Sequence, residues 1–319
     1  MKKKIKKQFP LLAIIIAVLL AIYALSLLLL MGWGVISSFK SDDDFTGAEN
    51  VLGFPDLNVY GAIEALAFGN YRKILFRESF KFPSMTVTYY SNIFGWVEKD
   101  PDTIFTFADF IFNSVMYSII CSFVHAFIAF LCAYLCAKYR FRFSEFIYVL
   151  MLVVMAIPIV GSAPSMMSVL RDLGIYDTVF SMVVLNFNFT GVYFFVFYAH
   201  FAGLSDTYME AAEIDGASQL GIFLKIMFPL SAKVFFTVFL LQFIATWNDY
   251  QTPYLYYPNH PTLSYAVFKM LRDTGGSSDD QNVPTQVAGC MVLAVPIFAV
   301  FVSCNKLLMG NLTMGGLKE

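Results

Sequence analysis

The sequence predicts an all-α, polytopic membrane protein that crosses the bilayer six times. Three observations carry this. Hydrophobic residues make up 58% of the 319-residue chain and charged residues only 14%, against about 25% charged in an ordinary soluble domain. Mean hydropathy is +0.67, and the 35 Phe and 18 Tyr suit a lipid-facing surface. The charges present separate long uncharged stretches, and a helix needs about 20 apolar residues to cross the hydrocarbon core. The net charge of −2 carries no nucleic-acid signature.

The first uncharged stretch runs from Gln8 to Ser38. The second lies between Asp109 and Lys138, the third between Glu145 and Arg171, the fourth between Asp177 and Asp206, and the sixth between Asp280 and Lys306. The fifth is interrupted by Lys233. A helix from Leu230 to Asp249 would still be about 30 Å long, with Lys233 one turn in and able to snorkel. The first stretch exceeds the 7–15 residues of a signal h-region, and no small-residue cleavage site follows cleanly, so it reads as a retained helix.

Orientation follows from the short loops. Lys2, Lys3, Lys4, Lys6 and Lys7 precede the first span, and Lys138, Arg140 and Arg142 separate the second from the third. Both clusters belong on the cytoplasmic side, as an even number of spans requires for both termini. Segments 40–108 and 250–284 then face outward, with Trp33 and Trp247 near the outer helix ends. The expected organisation is 1–40 for the N-terminus and first helix, 41–108 for an extracytoplasmic insertion, and 109–319 for the membrane core. The insertion is acidic at its start (Asp42, Asp43, Asp44) and aromatic later (Tyr89, Tyr90, Phe94, Trp96). Its length suits either a docking surface for an external partner or a local cap.

Pro158, Gly161 and Pro164 fall in the third stretch and Pro296 in the sixth, where they predict kinks that either line a cavity or serve packing. Five cysteines (121, 132, 136, 290, 304) lie in apolar stretches without CxxC spacing. Cys132 and Cys136 share a helix face, yet no His or carboxylate accompanies them, so all five read as small buried residues and no metal site is expected. No Gly-Lys-Ser/Thr phosphate loop is present, so ATP hydrolysis is not expected on this chain.

Residues 205–231 read as two short helices. Thr207 and Glu210 predict a capping box for the first. Gly216 after Asp215 predicts a left-handed end, Ala217 or Ser218 starts the second, and Pro229 stops it. Ala211 and Ala212 permit close approach of another surface, and Met209 and Ile214 offer apolar anchors.

The pattern Glu210-Ala211-Ala212, three residues, Gly216, nine residues, Ile226, two residues, Pro229 resembles the signature of binding-protein-dependent ABC importer permeases. Asn113-Ser114, Pro158, Pro164 and Leu173-Gly174 agree with it. Trp247-Asn248-Asp249-Tyr250 and the tail from Lys306 through Gly310, Leu312-Thr313 and Gly315 to Lys318 are similar to the carbohydrate branch, in particular its smaller maltose-type subunit. The resemblance covers residues 109–319 and the first helix. The chain departs from the pattern at Phe228 (usually Leu), at Lys233 (often Pro), at Ser205-Asp206 (often preceded by Pro), and in an extra segment near Leu75 to Thr106.

The resemblance implies a type I importer permease in the bacterial inner membrane. It implies a second permease subunit in a heterodimer, two ATPase subunits holding ATP and Mg, and an extracytoplasmic solute-binding protein. It assigns Glu210, Ala211, Ala212, Asp215, Gly216, Ile226 and Pro229 to an ATPase-coupling element at 207–229. It also implies alternating access for a mono- or oligosaccharide, with no catalytic residue and no cofactor on this chain. Of the polar residues inside spans, Asn186, Asn188 and Gln242 are candidates for a substrate pathway. His125 reads as a helix–helix contact. The rival classes are a stand-alone secondary transporter, which places ionisable groups at mid-membrane, and an intramembrane enzyme, which needs a nucleophile or paired carboxylates at depth.

Overall fold

A computed structural model describes residues 11–47, 50–59, 61–66, 68–76, 80–81, 104–139, 142–157, 161–272 and 282–312. They form α1 (Leu11–Ser38), a π turn (Asp43–Gly47), α2 (Ala62–Leu66), α3 (Gly69–Leu75), β1 (Phe80–Lys81), β2 (Ile104–Phe105), α4 (Phe107–Lys138), α5 (Arg142–Ala156), α6 (Ala163–Asp172), α7 (Val179–Asn186) and α8 (Val192–Ala202). Then come α9 (Thr207–Ile214), α10 (Gln219–Ile222), a second π turn (Phe223–Met227), α11 (Phe228–Trp247), α12 (Gln251–Tyr256), α13 (Leu263–Arg272) and α14 (Val283–Leu312). The strands make one antiparallel ladder, Phe80 opposite Phe105. The N-terminal lysines, Arg140, Tyr89, Tyr90, Phe94, Trp96, Pro158 and the tail beyond Leu312 lie outside the described residues.

Among the described residues four helices are long and apolar enough to cross a membrane: Leu11–Ser38, Phe107–Lys138, Gln219–Trp247 and Val283–Asn305. The third and fourth predicted spans are each built from two shorter helices. The third breaks between α5 and α6, where Gly161 takes φ +79° and Pro164 sits in the first turn of α6, a position that needs no amide donor. The fourth breaks between α7 and α8. There Asn188 Oδ1 accepts from the Thr190 amide (2.8 Å) and hydroxyl (2.6 Å), and Gly191 takes φ +132°. Asx-turn chemistry outcompetes the helix at this point.

Chain contacts divide the protein into two units. One comprises the residues through Arg77 with Met270–Ala294, and the other Glu78–Lys269 with the rest. In the first unit, Gly34 lets α1 approach Met291 so closely that a Cβ would stand 2.8 Å from the Met291 methyl. Beyond α1, Lys40 is fully buried, and its ammonium donates to the carbonyls of Asn50 and Val51 and lies 5.7 Å from the Phe45 ring centre. Burial pulls its pKa below the usual lysine value, against the opposing pull of Asp44. Asp44, also buried, accepts from Asn50 Nδ2 (2.9 Å) and the Asp56 amide (3.1 Å). The Trp33 indole donates to the Val51 carbonyl at 2.9 Å. Asn70 ties the carbonyls of Ser38 and Lys40 to Thr285. These paired groups give residues 40–71 a polar core whose members are satisfied by one another.

In the second unit, α4 is the central post, with α8 and α11 packed along it and α7 and α5 beside it. Thr106 and Asp109 form a reciprocal capping box at its start. The main apolar core runs from Ala126 to Cys136 on α4 against Phe194, Phe197, Phe201, Phe235 and Val238. Phe130 is fully buried, with ring centres of Phe197, Phe201, Phe228 and Phe235 at 4.9–5.7 Å. A smaller core gathers Tyr117, Cys121, Leu170, Ile175, Met182, Tyr256 and Tyr257. Trp247, placed near the outer helix end, is 3% exposed and packs on Phe243, one turn earlier on α11.

Candidate functional site: a helix–turn–helix and a polar pocket at opposite ends of α4

Residues 206–229 form a helix–turn–helix beside the Lys138 end of α4. The chain enters it under restraint. The Lys138 ammonium, on a side chain 2% exposed, binds Asp206 Oδ1 at 2.6 Å and donates to the Leu204 carbonyl at 2.6 Å. In the sequence, Lys138 served as a span limit and an orientation charge, and Asp206 as a span limit and a departure from the family pattern, and the two were not paired. Opposite charges flanking two spans are a weak signal, and the pairing becomes visible only when α4 and α8 are packed together.

The predicted capping box of Thr207 and Glu210 does not form. Asp206, already helical at φ −69°, ψ −18°, occupies the N-cap position and accepts from the amides of Met209 and Glu210. Thr207 is therefore one residue inside the helix and Glu210 one beyond the box register. The Thr207 hydroxyl instead pairs with Ser205 at 2.7 Å.

The end of α9 is as expected. Gly216 takes φ +78°, its amide donates to the Glu213 carbonyl and the Ala217 amide to the Ala212 carbonyl. This is the paired closure of a Schellman motif, which needs a residue tolerant of the left-handed region. Ser218 caps α10 by accepting from the Gly221 amide at 3.2 Å. Gln219 then bridges the element, donating to Glu213 at 2.7 Å and accepting from the Tyr139 hydroxyl.

Pro229 does not end the second helix. The turn before it widens to π geometry, the Phe228 amide reaching back to the Phe223 carbonyl. The helix then continues from Gln219 to Trp247. A proline ring clashes with the carbonyl four residues back and offers no donor. The widened turn accommodates both defects without breaking the rod.

The two faces of the element differ sharply. Met209, Ala212, Ile222, Phe223 and Met227 are buried and belong to the same core as Phe130, with Ile226 packed against it. Met209, expected as an outward anchor, is thus an inward one, and the small size of Ala212 serves this packing. On the other face Glu210, Ala211, Asp215, Gly216 and Pro229 are exposed, together with Tyr208, Ile214 (86%), Leu220 (67%) and Leu224.

At the other end of α4 a pocket of about 360 Å³ is lined by Tyr117, Leu185, Asn186, Gln242, Ala245, Thr246, Asp249, Thr252 and Tyr256. It brings together Asn186 and Gln242. Asn188 is not part of it, its carbonyl being spent in the turn before α8. Asp249 Oδ1 accepts the amides of Gln251 (2.9 Å) and Thr252 (3.1 Å), and Oδ2 accepts from the Tyr117 hydroxyl at 3.0 Å. Ser122 and Thr246 share a hydrogen bond of 2.9 Å, joining α4 to α11. Asn113 donates to the Pro261 carbonyl, and Ser114 accepts from the Leu263 amide, fixing the start of α4 to the chain after α12. His125 meets the Tyr193 ring edge-on at 5.9 Å, a helix–helix contact. No group of three or more metal-ligating side chains exists among the described residues.

Comparison with known proteins bears on this arrangement. Residues 125–313 match the family described as the binding-protein-dependent transport system inner membrane component, a span that contains all of residues 206–229. An arabinooligosaccharides transport system permease protein of Halalkalibacterium halodurans is 27% identical over 208 residues, covering 65% of this chain and 72% of that protein. A galactooligosaccharides transport system permease protein of Bacillus subtilis is 32% identical over 111 residues, 34% of this chain and 38% of that one. The fold matches a crystal structure of a bacterial ABC transporter involved in the import of the acidic polysaccharide alginate. The TM-score is 0.67 over 92% of this chain and 95% of that one, at 21% identity.

Proposed function

The chain belongs to the family of binding-protein-dependent transport system inner membrane components, and on that premise we propose that it is one permease subunit of an ATP-driven importer of a mono- or oligosaccharide. The observation that carries this reading is the two-faced element at 206–229. Its inner face is continuous with the aromatic core around Phe130, and its outer face presents Glu210, Ala211 and the fully projecting Ile214 to a partner.

In this reading the partner is an ATPase subunit, and ATP and Mg are held there. The outer face seats in a cleft of that subunit, Ala211 permitting close approach and Glu210 meeting a basic residue. Among the described residues the Glu210 carboxylate has no internal ion pair, so it is available for one. Motion of the ATPase pair passes through Met209, Ile222 and Phe223 into the core, and through Asp206 and Lys138 into α4. A packed core transmits displacement rather than absorbing it. The carbohydrate assignment is supported by the arabinooligosaccharides and galactooligosaccharides permeases among the relatives. A second permease subunit, an external solute-binding protein, an inner-membrane location and cytoplasmic termini complete the proposal. Asn186 and Gln242 lie on the pathway.

The test is transport and ATPase activity of the reconstituted assembly carrying Glu210→Lys or Gly216→Val. Both variants are expected to be made and inserted in the membrane, with ATP hydrolysis no longer driving uptake. Full uptake by both would remove the coupling assignment.

A further inference from the structure

Resting on that reading, we infer that this subunit carries its own saccharide subsite, the pocket of Tyr117, Asn186, Gln242, Asp249, Thr252 and Tyr256, and that the subsite admits neutral sugars and rejects anionic ones. Four features support it. The volume, about 360 Å³, falls at the small end of the range of ligand pockets, about 300–1,000 Å³. The lining combines two tyrosines with two amides, two threonine hydroxyls and a carboxylate, the donors and acceptors that a polyol needs, on a frame of apolar Leu185 and Ala245.

The third feature is unspent hydrogen-bonding capacity. Asn186 Nδ2 donates to the Met182 carbonyl at 2.9 Å, which fixes the side chain while its Oδ1 takes no bond among the described residues. The Gln242 amide makes none either, and both face one cavity. Half-buried on an open cavity, these groups are hydrated when it is empty and can exchange that water for a solute. The fourth is charge. Asp249 is the one ionisable carboxylate or cation in the lining. Oδ1 is committed to two backbone amides, while Oδ2 has only the Tyr117 hydroxyl. It can accept a sugar hydroxyl and repels a uronate carboxylate, a repulsion strengthened where water is partly excluded.

Placement gives the subsite its role. Tyr117 and Lys138 lie 21 residues apart on α4, about 30 Å along the axis at 1.5 Å per residue. The pocket is therefore at the end of the permease remote from the ATPase-facing element, where a sugar released by the external binding protein is first met.

The experiment is saturation-transfer NMR on the complete transporter in lipid nanodiscs, without the binding protein. It is titrated with arabinotriose, galactobiose, maltotriose and digalacturonate. At least one neutral sugar is expected to bind saturably, with digalacturonate at least about tenfold weaker. Gln242→Ala and Asn186→Ala should each weaken the neutral sugar about tenfold, the effect of one lost hydrogen bond. Asp249→Asn keeps an acceptor for the two backbone amides and should narrow the gap to digalacturonate. No saturable binding of any neutral sugar, neutral binding untouched by Gln242→Ala and Asn186→Ala, or digalacturonate bound as tightly as the neutral sugars, overturns the subsite. Uptake of the same panel by proteoliposomes with the binding protein separates the two proposals. Uptake with any of those binding results removes the subsite alone, whereas no uptake of any saccharide removes the carbohydrate reading beneath it.

Discussion

The two ends of α4 are built from different material. Toward Lys138 the helix is sheathed in close-packed rings, Phe130 touching four others at 4.9–5.7 Å, and the Lys138–Asp206 ion pair there is short, its lysine buried and its carboxylate exposed. Toward Tyr117 a smaller core adjoins hydroxyls, amides and a carboxylate joined by hydrogen bonds around a cavity. A dense aromatic core resists deformation. A hydrogen-bonded frame with room inside can exchange partners for a ligand. One helix thus links a segment suited to carrying force with a segment suited to holding a polar solute.

Stability measurements sharpen this contrast. Phe130→Ala should be the most damaging, costing about 3–5 kcal/mol as a truncated core aromatic leaves a cavity, read by thermal unfolding in detergent. A cost under about 1 kcal/mol would mean that the Lys138 end is not rigid. Lys138→Met comes next, at about 1–3 kcal/mol, because the Leu204 carbonyl loses its donor. In that variant Asp206, 56% exposed, rehydrates, whereas Asp206→Ala leaves the buried Lys138 ammonium with only the Leu204 carbonyl and should cost a similar amount, about 1–3 kcal/mol. At the other end Tyr117→Phe removes a single bond to Asp249 and should cost about 0.5–1.5 kcal/mol. A cost matching that of Phe130→Ala would erase the contrast.

The smallest pair of effects concerns helix starts. Thr106→Ala breaks a formed capping box and should cost about 1 kcal/mol. Thr207→Ala, whose hydroxyl caps nothing and only meets Ser205, should cost under about 0.5 kcal/mol. The reverse order would restore the box read from the sequence.

Those two threonines also show where sequence reading succeeds and stops. Both carry an acidic residue three positions later, yet one box forms and the other slips by a residue, because Lys138 draws the Asp206 carboxylate away and Asp206 itself becomes the cap position. Gly216 was legible because its requirement is local: a left-handed residue must end α9 whatever surrounds it. The long uncharged stretches were legible too, since span length is set by the bilayer. The break in the third stretch was legible as a kink at Gly161 and Pro164, but the break in the fourth was not, because uncharged residues such as Asn188 and Gly191 leave hydropathy nearly unchanged while diverting backbone hydrogen bonds. Pro229 misled for a related reason, its defect being absorbed by a π turn that no residue pattern announces. Of the pocket, Asn186 and Gln242 stood out as polar residues in apolar stretches. Tyr117, Asp249, Thr252 and Tyr256 did not, since only packing brings residues 117 and 249 within 3.0 Å.

The proposed function has the exposed face of 206–229 docking on an ATPase. The most direct measurement is photo-crosslinking in native membranes from Ile214→Cys carrying a benzophenone label, with Tyr254→Cys, exposed near the pocket end, labelled as the reference. The account predicts capture of an ATPase subunit from position 214 and none from position 254. Lipid or no product at 214, or the same ATPase captured equally from 254, would contradict it.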